Sequence, residues 1–181
     1  MTTSLDQTII RLAAGQKHRP PKKPAQILDW LWLGDQNAAF NGMAAGYTHV
    51  ISCVNQQEMD LISGFWDMHE YRPQHLHILV EDHPTTQITQ CYTKVADWLS
   101  AQRKNTFVEV RCLIHCHAGV NRSASLAIMI YCAETGCSPS IAGEMVWSKR
   151  PGIINNSSFR QQIDEWFAGS GGNEAISTAN K

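Results

Sequence analysis

No apolar run in this 181-residue chain approaches the roughly 20 residues that a membrane-spanning helix needs. The opening residues, Met1-Thr2-Thr3-Ser4-Leu5-Asp6-Gln7, lack a basic stretch followed by an apolar one, so no signal peptide is expected. Charge of one sign is not in excess either. Fifteen Lys plus Arg face 16 Asp plus Glu, which gives no support for a nucleic-acid or anionic-membrane surface. The six cysteines, at positions 53, 91, 112, 116, 132 and 137, do not form the dense framework of a small secreted scaffold. Free thiols in a reducing compartment, cytosol or nucleus, are the expectation. Internal repeats are lacking, and the length suits one well-filled domain better than two.

What the chain does have is strands and helices in alternation. Strands are expected over 27–33, 48–54, 76–80 and 107–114, and helices over 36–45, 57–66, 87–103, 123–135, 138–149 and 157–168. Ser138 followed by Pro139 is a well-founded helix start, a capping hydroxyl ahead of a residue that needs no N–H partner. Interleaving of this kind predicts an α/β fold, a single domain with a central, mostly parallel sheet flanked by helices. Residues 1–25 form an N-terminal extension: one amphipathic helix over 8–14 ended by Gly15, then Arg19-Pro20-Pro21-Lys22-Lys23-Pro24, which proline keeps extended. A solvated linker is the simple reading of that segment; docking to an acidic partner such as a protein kinase is the other. Residues 169–181 read as a flexible tail.

One stretch decides the chemistry. His115-Cys116-His117-Ala118-Gly119-Val120-Asn121-Arg122-Ser123 follows the apolar run 107–114 and precedes the amphipathic run 124–131. A buried strand therefore enters a short glycine-containing loop that opens a helix. Backbone N–H groups and the positive end of the helix converge on the mouth of that loop, which should hold an anion. Cys116 placed there ionises readily, and the planar fork of Arg122 clasps two phosphate oxygens. Gly119 is where the backbone adopts positive φ or approaches phosphate closely.

The motif His115-Cys116-x-x-Gly119-x-x-Arg122-Ser123 resembles the signature loop of the cysteine-dependent protein tyrosine phosphatases, and the words around it resemble the dual-specificity branch. Ile27-Leu28-x-x-Leu31-x-Leu33-Gly34 is similar to that branch's opening strands, Thr48-His49-Val50-Ile51-Ser52-Cys53 to its next strand, and Arg150-Pro151 with Asn156 and Phe159 to its C-terminal signature. The resemblance covers about residues 26–167, and the expected catalytic domain is 26–168. It implies a phosphatase acting on phosphotyrosine and on phosphoserine or phosphothreonine in proteins, with no cofactor and no metal. Cys116 is then the nucleophile, and Arg122 with the amides of His117, Ala118, Gly119, Val120 and Asn121 binds phosphate. Ser123 would assist release of the thiolate, with helix capping as its other reading. His115 would support the loop by hydrogen bonding and Asn156 would brace it, with capping of the last helix as the alternative. The leaving oxygen needs a proton, and Asp82 in Asp82-His83-Pro84-Thr85-Thr86 resembles the family's acid; Glu81 is its rival.

Other readings compete. Cys112, His115, Cys116 and His117 are all zinc-ligand types, but neighbours on a strand point to opposite faces and no second Cys/His knot follows. Phosphoinositides and RNA 5′-triphosphate ends are alternative substrates; the lipid-type loop carries lysines that this one lacks. An interaction module that has lost turnover is the alternative outside enzymes.

Overall fold

A computed structural model describes residues 3–14, 19–104 and 109–169. Gly15, the first two residues of the strand expected over 107–114, and the tail from 170 onward lie outside the described residues. Among the described residues thirteen elements follow one another: α1 (Leu5–Ala13), β1 (Ala25–Leu28), β2 (Leu31–Gly34), α2 (Gln36–Phe40), α3 (Gly42–Ala45), β3 (His49–Val54), α4 (Gln56–Met68), β4 (Gln74–Leu79), α5 (Ile88–Arg103), β5 (Cys112–His115), α6 (Arg122–Thr135), α7 (Pro139–Lys149) and α8 (Ser157–Ala168).

The strands make one five-stranded sheet in the order β1-β2-β5-β3-β4. β1 and β2 pair antiparallel, while β2, β5, β3 and β4 run parallel. The expected α/β fold with a mostly parallel sheet is therefore the fold observed. β5 is central, so the stretch leaving its C-terminal end emerges mid-sheet, where ligands of open α/β sheets bind.

Alternation along the strands divides the core into two. Ile51 and Cys53 of β3 with Cys112 and Ile114 of β5 face the layer of α1, α5, α6, α7 and α8. Val50 and Val54 of β3 with Leu113 of β5 face α2 and α4, where Met59, Ile62 and Trp66 present one helical stripe. Ser52 and His115 share that second face by the same two-residue period, and their strands pair them directly. α6 is buried nearly all round, from Arg122 to Ile130, rather than on one face. The expected amphipathic pattern is absent because α5, α7, α8 and the sheet enclose the helix.

Four boundaries depart from expectation, the first being the strand expected over 107–114: residues 109–111 are not strand, and β5 runs only from Cys112 to His115. The strand expected over 27–33 is a hairpin, β1 and β2, turning at Asp29-Trp30. The helix expected over 36–45 breaks at Asn41 into α2 and α3. A side chain at Gly42 would meet the Tyr71 hydroxyl at 3.0 Å, so that close packing draws the chain into a new turn. α1 begins earlier than expected, at Leu5, with Ser4 and Gln7 forming a capping box. Its Leu5 and Ile9 are buried in the main core, so this part of the N-terminal extension packs as part of the domain.

Candidate active site

β5 delivers the chain to Cys116, and residues 117–121 form the loop before α6. Each carbonyl on the outer side of this loop is taken by a donor of the scaffold. Gln36 N–H donates to His117 O (3.1 Å), Ile154 N–H to Val120 O (2.7 Å), and the Arg150 guanidinium to Ala118 O and Gly119 O (3.3 and 2.9 Å). With carbonyls drawn outward, the intervening N–H groups are left for the concave side, which makes an anion cradle. Arg150 is fully buried; two further bonds, to Pro21 O and Lys23 O, complete its coordination, and burial lowers its pKa. Those bonds hold the Pro21 and Lys23 carbonyls against the domain, while the side chains of Arg19, Lys22 and Lys23 stay exposed.

Gly119 has φ +63°, and a Cβ there would lie 2.4 Å from Gly34 O and 2.6 Å from an Arg150 nitrogen. Only glycine satisfies both the left-handed backbone and the contact. α6 opens at Arg122, with Asn121 at the N-cap position but no side-chain cap bond. The first amides of the helix thus remain unclaimed by a side chain, a ready anion site.

Inside the cradle, Cys116 is 2% exposed and Ser123 Oγ donates to its sulfur at 3.2 Å. Ser123 is the second residue of α6 rather than its cap, so the expected capping alternative falls away. Arg122 is 8% exposed, and its Nη1 donates to Glu58 Oε2 (3.2 Å) and Val80 O (3.3 Å), while its Nε is buried without a partner among the described residues. An unpaired buried guanidinium N–H is costly unless an incoming acceptor satisfies it. His117 stands exposed at the rim, its Nδ1 3.0 Å from Glu58 Oε1, so one carboxylate of α4 fixes both side chains. Glu58 itself is held by capping α4, its Oε2 accepting from Asn55 N–H at 3.0 Å.

His115 is fully buried and bonds through Nε2 to Ser52 Oγ at 2.7 Å. Burial is the main reason its pKa is lowered to about 3, so the ring is neutral at ordinary pH. The four side chains weighed as zinc ligands do not converge: His115 turns to β3, His117 to Glu58, and Cys112 into the core, where burial raises its thiol pKa. Among the described residues no other group of His, Cys, Asp and Glu could hold a metal ion.

Asp82 faces the same loop. Its Oδ2 accepts from Asn121 Nδ2 at 2.8 Å and its Oδ1 from Asn156 Nδ2 at 3.2 Å. Asn156 also caps α8, accepting from Ser158 N–H and Phe159 N–H, so its side chain serves the helix and Asp82 together. Its link to the phosphate loop is made by the backbone, whose N–H donates to Asn121 Oδ1 at 3.2 Å. Among the described residues Glu81 has no such side-chain tie; with Leu79, Val80, Gln87, Cys91 and Lys94 it lines an open cleft of about 360 Å³. Sequence reasoning gave no role to Glu58 or Ser52. Asn55-Gln56-Gln57-Glu58 is a legible capping box, and Ser52 is a polar residue in an apolar strand; neither signal names a ligand.

A cysteine at the floor of an amide cradle, under an unpaired arginine N–H, characterises phosphate-handling cysteine enzymes. The chain belongs to a family of that class: residues 31–168 match the model of the dual specificity phosphatase catalytic domain. Mouse protein phosphatase Slingshot homolog 1 is 27% identical over 147 residues, 80% of this chain and 13% of the relative. Rat dual specificity protein phosphatase 15 is 30% identical over 144 residues, 78% of this chain and 56% of the relative. The chain thus spans from about an eighth to just over half of these relatives. Among solved structures, DUSP15 superposes with a TM-score of 0.70 at 23% identity, covering 89% of this chain and 97% of that one. A human tyrosine phosphatase-like serine/threonine/tyrosine-interacting protein does so with a TM-score of 0.62 at 25% identity, covering 82% and 97%.

Proposed function

We propose that this chain hydrolyses phosphate esters of tyrosine and of serine or threonine in proteins through a cysteinyl-phosphate intermediate. The observation that carries the reading is the cradle over Cys116, with every loop carbonyl from 117 to 120 turned outward and Arg122 Nε buried and unpaired beside it. In the first step the Cys116 sulfur bonds to phosphorus as the P–O bond to the substrate breaks, and Asp82 gives its proton to the leaving oxygen. In the second, Asp82 takes a proton from water, the water oxygen bonds to phosphorus, and the S–P bond breaks. Ser123 Oγ–H then stabilises the departing thiolate. Full ionisation of a thiol raises its reactive fraction only about thirtyfold, so most of the acceleration falls to in-line positioning and to Arg122 and the amides.

Family membership supports phosphoproteins as the substrate class, and a phosphorylated protein kinase is one candidate within it. The loop positions 117, 118, 120 and 121 supply no lysine, which favours a single phosphate over a polyphosphorylated lipid headgroup. A cytosolic or nuclear setting fits a nucleophile that must stay reduced.

Turnover of para-nitrophenyl phosphate and of phosphopeptides by wild type and Cys116→Ser tests the reading. The serine variant should release no phosphate yet still bind vanadate, and a chelator should leave the wild type unchanged. Activity surviving in Cys116→Ser would overturn the covalent route.

A further inference from the structure

His115 does not end at Ser52. On the α4 face of the sheet, Ser52 Oγ lies 2.7 Å from His115 Nε2 and 3.0 Å from His75 Nε2, so three side chains on β5, β3 and β4 form one continuous hydrogen-bonded row. The register explains it. Ser52 sits directly opposite His115 on β5, and His75 is one diagonal step away on β4. We propose that His75 is a positioning residue for Cys116, acting through Ser52 and His115 to fix the tautomer of His115 and favour the reactive thiolate.

The proton count restricts the row. A hydroxyl has one hydrogen, so Ser52 can donate to only one of the two rings. Both rings are neutral at ordinary pH, each with one N–H: burial lowers His75 to about 4 and His115 to about 3. The Cys116 backbone lies close enough to the His115 ring to favour its protonated form, while Nδ1 is buried with no formed bond among the described residues. With the proton on Nδ1, Nε2 must accept from Ser52 Oγ–H, and Ser52 must accept from His75 Nε2–H. Every N–H and O–H then points toward Cys116, and aligned dipoles stabilise negative charge at the end of the row. Trp66, edge-on to His75 at 5.0 Å, holds the ring in place from α4. The other titratable groups facing the row are His77 beside His75, Arg122 beside His115, and Arg150 and Cys53 beside Cys116.

The inference rests on Cys116 as the reacting thiol, and its test reads that thiol directly. Iodoacetamide alkylation of Cys116, followed by mass spectrometry against pH, gives a midpoint independent of turnover. In His75→Leu and in Ser52→Ala the midpoint should rise by about half to one pH unit, and the double variant should show no further rise. The acidic limb of the kcat/KM profile should move with it. His75→Gln keeps an N–H donor near the Nε2 position and should restore the wild-type midpoint. His77→Leu is the control, since His77 Nε2 bonds to Val54 O at 3.0 Å outside the row. A midpoint unchanged in His75→Leu, or shifted equally in His77→Leu, overturns the proposal. Loss of turnover in all variants with the midpoints ordered as above would instead fault the acid or substrate assignment.

Discussion

Asn121 Nδ2 donates to Asp82 Oδ2 at 2.8 Å, joining the acid loop to the phosphate loop through one amide. The other end of that amide, Oδ1, takes the backbone N–H groups of Asn155 and Asn156, so three segments meet on a single side chain. The carboxylate is thereby aimed at the cradle while remaining exposed to water.

That geometry sets a leaving-group test. Asp82→Asn should slow hydrolysis of phosphothreonine peptides by about a hundred- to ten-thousandfold, and an activated aryl phosphate far less, because only the poor leaving group needs the proton. Asn121→Ala should show a weaker loss of the same kind. Glu81→Gln, a change outside the tied site, should leave both substrates near wild type. Steady-state rates on the two substrates check this, and a leaving-group-dependent loss in Glu81→Gln alone would reverse the assignment.

Gly119→Ala combines a left-handed backbone with a Cβ 2.4 Å from Gly34 O. Backbone conformation alone costs about 1–3 kcal/mol, and the contact adds to it. A fall in Tm of about 5–10 °C is expected, together with weakened vanadate binding, from scanning calorimetry and titration. Retained Tm with intact anion binding would mean that the loop has another accessible shape.

Oxidation should select between two thiols. Cys53, Cys91, Cys112 and Cys132 all have pKa values raised, for Cys132 first by its bond to Cys137 and for the others by burial. Cys137 goes the other way, lowered to about 6 by its bond to Cys132, and it is only half-buried. Limited peroxide should therefore modify Cys116 and Cys137 ahead of the rest, with activity loss tracking Cys116. Mass spectrometry against residual activity decides it; Cys137→Ser should retain the same inactivation rate.

Stability should fall on mild acidification. His115 and His75 titrate in the fold at about 3 and about 4, against 6.5 when unfolded. Unfolding takes up protons between those values, so stability rises with pH through the window and is lost as pH drops from 6.5 toward 4. For fully buried His115 this amounts to about 2 kcal/mol between pH 7 and pH 5. Tm by calorimetry should drop by roughly 5 °C over that interval, and less steeply in His75→Gln. A flat Tm would show these rings protonated in the fold.

How much of this was legible follows from where the information resides. The loop from His115 to Ser123 is local, and its strand–loop–helix setting could be read from adjacent residues. Helices α7 and α8 announced themselves through the caps Ser138 and Asn156. The β1–β2 hairpin escaped because Asp29-Trp30 is not a turn-forming pair, and Gln26 Nε2 bonding to Asp29 O stabilises it from outside the turn. Glu58, Ser52 and His75 escaped for another reason. Their meaning depends on register between strands and on a helix laid across them, and residue order alone does not give it.

Arg150 carries a consequence for the boundary of the molecule. Two of the four acceptors of this buried cation, Pro21 O and Lys23 O, lie upstream of residue 31, where the match to the family model begins. The segment matched by the family model is thus shorter than the segment that closes its active loop. Cutting at the kinship boundary would strip a charged group of half its partners while leaving every residue of the phosphate motif in place.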